Sequence, residues 1–195
     1  MTCVMACKTD DNKVVVVTDS AIGTGGGFRR LMSQPKLWDM GCLVIGEAGD
    51  DFALSRIRQK TQLHKNWEEL KDPYTFSELI CKIQKDIAGE FSGVEALDAE
   101  LLHVGTDKDN KSTIYVVGGE GGVVGPFPYT AVGEGSIIAI PLMDALIAKR
   151  LKKKTVIKVT NVMMEIMEYV DSYVESVKGP FHPHTYDPNE KFKEL

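Results

Sequence analysis

A threonine, an aspartate and a lysine near the amino terminus could together carry out acyl-transfer chemistry. Thr2 follows the first methionine, and Asp19 and Lys36 follow Thr2 by 17 and 34 residues. A threonine hydroxyl is a poor nucleophile unless a base takes its proton, and a free α-amino group on the same residue can be that base. A small second residue permits removal of Met1, which would free this amine. A nearby lysine can lower the proton affinity of the hydroxyl, and a carboxylate keeps that lysine charged and oriented.

Each of these residues alone has a simpler explanation. A threonine in second position is common, Asp19 follows the apolar run 14–18 where an aspartate often starts a turn, and Lys36 can snorkel on a sheet surface. The combination is what indicates catalysis. The glycine-rich residues 23–27 lack the Lys-Ser/Thr of a phosphate-binding loop, and His182 and His184 lack a partner at metal-ligand spacing. The sequence therefore predicts neither a cofactor nor a metal.

The composition predicts one domain over residues 1–195. A chain of 195 residues that is 43% hydrophobic is long enough to bury a full core. Its net charge of −5 and scattered basic residues argue against binding to nucleic acid. The start of the chain does not resemble a signal peptide and no apolar run approaches the ~18 residues of a membrane span, so a cytoplasmic protein with no membrane partner is expected. The cysteines form no CxxC pair and are expected to be reduced thiols, mostly in the core: Cys3, Cys7, Cys42 and Cys81.

The first half of the chain reads as strands followed by two helices. Residues 2–9, a turn at 10–12 and the β-branched run 14–18 predict an antiparallel hairpin. A loop without regular structure is expected at 21–34, and strand signals resume at 35–46. A helix then runs from Asp50 or Asp51 to about Lys71, and a second one from Thr75 to about Phe91.

The second half repeats this order. Short strands are predicted at 101–105, 113–117, 121–124 and 129–132, and a helix follows from Ser136 to about Leu151. Thr160 is predicted to cap a last helix, and the tail 179–195 to form one short strand. Antiparallel sheets whose outer faces are covered by helices predict an α+β fold, a four-layer αββα sandwich with two sheets packed face to face.

Four segments resemble the active-site motifs of proteasome β subunits and bacterial HslV peptidases. They are Thr2-Cys3-Val4, Thr18-Asp19-Ser20, Pro35-Lys36 and Ile45-Gly46-Glu47-Ala48-Gly49, in the family's order and near its spacing. A later segment, 131–136, resembles the family's Gly-Ser-Gly motif, and the likeness extends over most of the chain. The resemblance implies that Thr2 is the nucleophile, that its amine is the base, and that Asp19 and Lys36 activate it.

The resemblance also implies supporting groups. The backbone N–H of Gly46 or Glu47 would supply the oxyanion hole, where one preorganised donor contributes ~3 kcal/mol of transition-state stabilisation. Glu134 stands where the family has a serine that supports the nucleophile's amine. Either Glu134 itself or Ser136, from the next turn, is expected to take that role.

The activity implied is that of a threonine endopeptidase acting on unfolded polypeptide. Members of the family form closed homo-oligomeric rings, usually stacked in pairs, and an ATP-dependent unfoldase feeds their chamber. Two alternatives stay open: an amidase of the same fold that acts on a small amide, and a scaffold subunit without activity. Glu134 and a retained Met1 would favour the scaffold, whereas the joint presence of Thr2, Asp19 and Lys36 favours catalysis.

Overall fold

The computed structural model describes residues 2–24, 28–31, 36–40, 42–64, 70, 72–90 and 97–194. Its strands are β1 (Val4–Lys8), β2 (Val14–Thr18), β3 (Ala21–Thr24), β4 (Phe28–Leu31), β5 (Leu37–Asp39), β6 (Leu43–Gly49), β7 (Ala99–Thr106), β8 (Ser112–Val117), β9 (Val123–Val124), β10 (Tyr129–Val132), β11 (His182–Asp187) and β12 (Glu190–Glu194). Its helices are α1 (Asp51–Leu63), α2 (Pro73–Gly89), α3 (Ser136–Met143), which continues as a π-helical turn (Asp144–Ala148), and α4 (Val156–Tyr173).

Two five-stranded antiparallel sheets form the centre of the molecule. The first has the strand order β10-β1-β2-β11-β12 and the second has the order β5-β6-β7-β8-β9. The hairpin β3–β4 is separate from both. In the first sheet Val4 pairs with Thr18, which brings the start of β1 beside the end of β2. Residues just before β1 and just after β2 therefore lie together at one end of the sandwich.

The alternation of side chains along β1 and β2 produces the layers. Val4, Ala6, Val14 and Val16 face the second sheet and pack on its inner face. The residues between them pack instead on α3 and α4. The outer face of the second sheet packs on α1 and α2 in the same way. The four-layer αββα sandwich expected from the sequence is thus confirmed.

Helix α1 begins after its predicted cap, Asp50, whereas α2 begins at Pro73, two residues before the predicted start at Thr75. Asp50 accepts the N–H of Ala53 at 3.0 Å, and Asp72 accepts the N–H of Thr75 at 2.8 Å with Pro73 in the first turn. The prediction for α1 was too long, because His64 is already extended (ψ 128°) and caps the helix at Leu63. Residues 65–69 of the predicted segment lie outside the described part of the chain.

Three other predictions were wrong in detail. The segment 21–34 contains the hairpin β3–β4 instead of an irregular loop; residues 25–27 and 32–34 lie outside the described part. The N-cap of α4 is Thr155, five residues before the predicted Thr160. The tail forms two strands, and β11 pairs with β2 on one side and with β12 on the other. Every described helix is too short or too polar to span a bilayer.

Candidate active site

Thr2 is buried at one end of the sandwich, immediately before β1. Its side chain contacts that of Lys36, whose Nζ donates to Thr2 Oγ1. Thr2 is only 3% exposed, so the hydroxyl and the lysine meet with little competition from water. Met1 lies outside the described residues. The role of the Thr2 amine therefore stays a prediction.

Asp19 follows β2 and is completely buried. The pairing of Val4 with Thr18 places it beside Cys3, so the Cys3 N–H donates to Asp19 Oδ1 at 3.2 Å and the Asp19 N–H donates to the Cys3 carbonyl at 3.3 Å. Its carboxylate also accepts from Lys36 Nζ at 3.0 Å. A buried carboxylate is tolerated when such partners are present.

Lys36 reaches Thr2 and Asp19 from the second sheet. It precedes β5, an edge strand, and its side chain is only 11% exposed. Burial lowers the pKa of Lys36, and the Asp19 carboxylate opposes this by raising it. The structure therefore brings together Thr2, Asp19 and Lys36, although they come from three separate segments. This is the geometry needed to stabilise a threonine alkoxide.

Two glycines enclose the carbonyl group of Thr2. Gly133 has a positive φ of 85°, and a Cβ atom on it would lie 2.2 Å from the Thr2 carbonyl oxygen. The N–H of Gly135 donates to that same oxygen at 3.4 Å. The segment 131–136 singled out in the sequence thus positions Thr2 through its backbone. Sequence reasoning looked in this segment for a side chain and missed both glycines.

Glu134 and Ser136 have other partners than Thr2 among the described residues. Glu134 is exposed, and its carboxylate accepts a hydrogen bond from the hydroxyl of Ser176, which follows α4. Ser136 begins α3 and donates its N–H to Gly133 O at 2.9 Å. The expected support of the amine by either side chain stays a prediction, since Met1 precedes that amine.

The N–H groups of Gly46 and Glu47 are used within the second sheet. The Glu47 N–H donates to the Lys36 carbonyl at 3.2 Å. Consecutive N–H groups of an antiparallel strand point to opposite edges, so the N–H of Gly46 is directed at its partner Leu102 on β7. Both N–H groups thus have strand partners in this structure, and the expectation that one of them lines an oxyanion hole stays a prediction. Gly46 also has a packing role, because a Cβ there would lie 2.5 Å from Val4 Cγ1.

The next N–H on the β5 edge of β6 belongs to Gly49. Gly49 lies two residues after Glu47, so its N–H points to the same edge of β6. The N–H groups of Ala48 and Asp50 face β7 instead, as the bond from Asp50 N–H to Asp98 O (2.6 Å) illustrates. Gly49 has a φ of 128°, and a Cβ on it would lie 2.1 Å from Asp98 O. A glycine is thus required at this position.

The remaining candidates do not form a second site. Cys3 packs against α4 with its thiol buried, and burial raises its pKa far above the ordinary value. The four cysteines are all free, and Cys42 alone is half-buried instead of buried. His182 contacts Ser20, while His184 is buried in the first sheet. Within the described residues no three His, Cys, Asp or Glu side chains converge as metal ligands.

The fold and this site define the class of the protein. A nucleophile candidate ahead of the first strand, between two antiparallel sheets and two helix layers, is the arrangement of a proteasome-type N-terminal-nucleophile hydrolase. The family model described as "Proteasome subunit" matches residues 2–176, and the chain belongs to that family.

Among solved structures, the fold is similar to that of a mutant of Anbu from Hyphomicrobium sp. strain MC1. The TM-score is 0.80 at 13% sequence identity, with 100% of this chain and 87% of that chain covered. At this identity the likeness concerns the fold. No sequence among the curated proteins matches the chain.

Proposed function

We propose that this chain is a threonine peptidase whose nucleophile is Thr2 after removal of Met1. The observation that carries the proposal is the contact of Lys36 Nζ with both Thr2 Oγ1 and Asp19 Oδ1 in a buried pocket. In a non-catalytic subunit, burying a lysine and an aspartate beside Thr2 would cost desolvation energy and serve no reaction.

The reaction is an acyl transfer in two halves. The Thr2 amine takes the hydroxyl proton, and Oγ1 attacks the carbonyl carbon of a peptide bond. The resulting tetrahedral intermediate collapses to an ester on Thr2, and the released amine of the product takes the proton. Water then hydrolyses the ester with the Thr2 amine again acting as base. The ammonium group of Lys36 stabilises negative charge on Oγ1, and Asp19 keeps Lys36 charged.

The oxyanion formed in both halves requires a donor, and we assign the N–H of Gly49 to this role. It points to the same side of β6 as the Glu47 N–H, two residues beyond the contact with the Lys36 carbonyl. The required glycine at this place supports the assignment, because a residue without a side chain leaves its backbone N–H open to the close approach of a substrate.

A ring of identical subunits around a chamber is the assembly we propose, with unfolded polypeptide as the substrate. Membership of the proteasome subunit family supports it. Large apolar side chains on the outer helices also support it, since Leu63 is 77% exposed and Ile137 is 81% exposed. An ATP-dependent unfoldase and a cytoplasmic location complete the proposal.

Intact-mass measurement tests the nucleophile. The purified protein is analysed alone and after incubation with a threonine-directed epoxyketone or β-lactone. The proposal requires loss of Met1 and a single adduct on Thr2; Thr2→Ala gives no adduct and Thr2→Ser retains part of the reactivity. Cys3→Ser is the matched control and should react like the wild type, because Cys3 faces the helices.

The same mass measurement, together with a cleavage assay, distinguishes the peptidase from two other functions. The hydrogen bond from Ser176 to the Glu134 carboxylate favours a scaffold subunit. If the chain is a scaffold, Met1 should be retained and no adduct should form. An amidase predicts the adduct together with hydrolysis of small amides and no cleavage of an unfolded protein such as casein. Cleavage of unfolded protein by the wild type and its absence in Thr2→Ala supports the peptidase.

A further inference from the structure

Ser20, the residue after Asp19, is held by the segment that follows α4. Its N–H donates to the carbonyl of Lys178 at 3.0 Å, and its hydroxyl contacts both the carbonyl of Pro180 and Nε2 of His182, the latter at 2.7 Å. Ser20 is completely buried and His182 is half-buried. Three contacts therefore tie one residue to a segment about 160 positions away in the chain.

The donors in this network follow from the chemistry of the groups. A carbonyl oxygen only accepts, so the Ser20 hydroxyl proton is directed at Pro180. The Ser20 oxygen then accepts from His182, which must carry its proton on Nε2. The chain of donation runs from the imidazole through the hydroxyl to the backbone carbonyl. His182 is thus a required donor and its neutral form is sufficient.

The far end of this network is itself fixed to α4. Lys178 Nζ donates to the carbonyl oxygen of Asp171 at 2.8 Å and to its carboxylate. The pairing of β11 with β2 places His182 opposite Thr18. The segment 178–182 is therefore anchored on two sides before it reaches Ser20.

We propose that Ser20 and His182 are positioning residues that hold Asp19 against Lys36. This inference rests on the proposed function of the site. The Asp19 N–H is bound to Cys3 O on one side, and the N–H and hydroxyl of Ser20 are bound to the segment 178–182 on the other. The direction of the Asp19 side chain is set by these two attachments, and a loss of the second lets the carboxylate move away from Lys36.

The effect of such a movement on Lys36 has a definite sign. Burial lowers the pKa of Lys36 and the charge of Asp19 raises it. A weaker contact with Asp19 therefore lowers the pKa of Lys36 further.

The test is the titration of Lys36 by NMR of protein labelled with ¹³Cε-lysine, with the signal assigned by its loss in Lys36→Met. His182→Leu removes the donor, whereas His182→Gln keeps an N–H near the position of Nε2. Ser20→Ala and Ser20→Thr make the same comparison one residue closer to Asp19. His64→Leu is the matched control, at an exposed histidine at the end of α1.

The expected result is a lower titration midpoint of Lys36 in His182→Leu and Ser20→Ala, and the wild-type midpoint in His182→Gln, Ser20→Thr and His64→Leu. The rate of adduct formation on Thr2 should fall about tenfold in the first two variants only. A wild-type midpoint in a folded Ser20→Ala or His182→Leu protein overturns the inference. Because the titration needs no turnover, a wild type without an adduct refutes the proposed function and still leaves this comparison decisive.

Discussion

Gly133 lies so close to Thr2 that a Cβ atom on it would sit 2.2 Å from the Thr2 carbonyl oxygen. The main chain of Thr2 therefore packs against a backbone position that has no room for a side chain. Its φ of 85° is also one that residues with a side chain rarely adopt. The position of Thr2 depends on this glycine as directly as on Lys36.

The variant Gly133→Ala should consequently lose the reaction while keeping the fold. We expect the rate of epoxyketone labelling to fall about 100-fold, since a displacement near 1 Å costs that much. The free energy of unfolding should fall by about 1–3 kcal/mol because of the strained φ. Gly118→Ala is the control, because a Cβ there meets nothing within 4 Å. Equal labelling rates in the two variants would contradict this role of Gly133.

The pH dependence of labelling should reveal the charge of Lys36. If the ammonium form is required, the rate declines on the alkaline side as Lys36 loses its proton. Because burial lowers the pKa of Lys36, this decline occurs below the ordinary lysine value of 10.5. Asp19 raises the pKa, so Asp19→Asn should shift the decline to lower pH as well as reduce the rate. A shift to higher pH would exclude the assigned pair.

A buried histidine should make the stability of the fold depend on pH. His103, on β7, is fully buried, and burial lowers its pKa from 6.5 to about 3. The unfolded chain therefore binds a proton below pH 6.5 that the folded chain takes up only near pH 3. The free energy of unfolding should decrease as the pH falls through this range, by up to about 1.4 kcal/mol per pH unit.

Urea unfolding at several pH values checks this contribution. Ser77 Oγ donates to Pro73 O at 2.7 Å, so it accepts from His103 Nδ1 at 2.6 Å, and Nε2 has no partner within the described structure. His103→Leu should flatten the acid slope, whereas the exposed His64→Leu should leave it as in the wild type. An unchanged slope in His103→Leu would locate the acid sensitivity elsewhere.

The ion pair Glu47–Arg58 should contribute more to the free energy of unfolding than the neighbouring pair Arg56–Glu90. Both nitrogens of the Arg58 fork bind the Glu47 carboxylate, which is only 5% exposed, whereas Arg56 and Glu90 are 35% and 41% exposed. Arg58→Met should lower the free energy of unfolding by about 1–3 kcal/mol. Arg56→Met should cost less than about 1 kcal/mol.

The pH dependence of Arg58→Met distinguishes lost charge pairing from lost packing. Burial raises the pKa of Glu47, and Arg58 opposes this. The pKa of Glu47 is raised even with Arg58 present and rises further without it, so the variant should lose more stability than the wild type as the pH rises above 4.5. Adding Glu47→Gln should recover part of the loss at pH 8 and little at pH 5. Equal recovery at both values would indicate packing.

The sequence predicted the layers and the three central residues because both depend on local patterns. Alternation in 14–18 and the spacing of apolar residues in α2 specify which faces are buried, and a motif of three residues at fixed spacing identifies Thr2, Asp19 and Lys36. The cap at Asp50 was recognisable for the same reason.

Features that depend on distant contacts were not predictable in this way. The close approach of Gly133 to Thr2 and the attachment of Ser20 to Pro180 join residues more than a hundred positions apart. The strand partners of the Gly46 and Glu47 N–H groups were not predictable for a related reason, since the direction of an N–H depends on which strands flank β6.

The position of β11 beside β2 has a consequence for the time at which activity can arise during synthesis. β2 and Asp19 leave the ribosome about 160 residues before Lys178, Pro180 and His182. Until those residues have emerged, Asp19 of a nascent chain lacks the strand that fixes it. Under the proposed function such a chain should be inert toward other nascent proteins, because the site around Thr2 is incomplete before β11 joins β2.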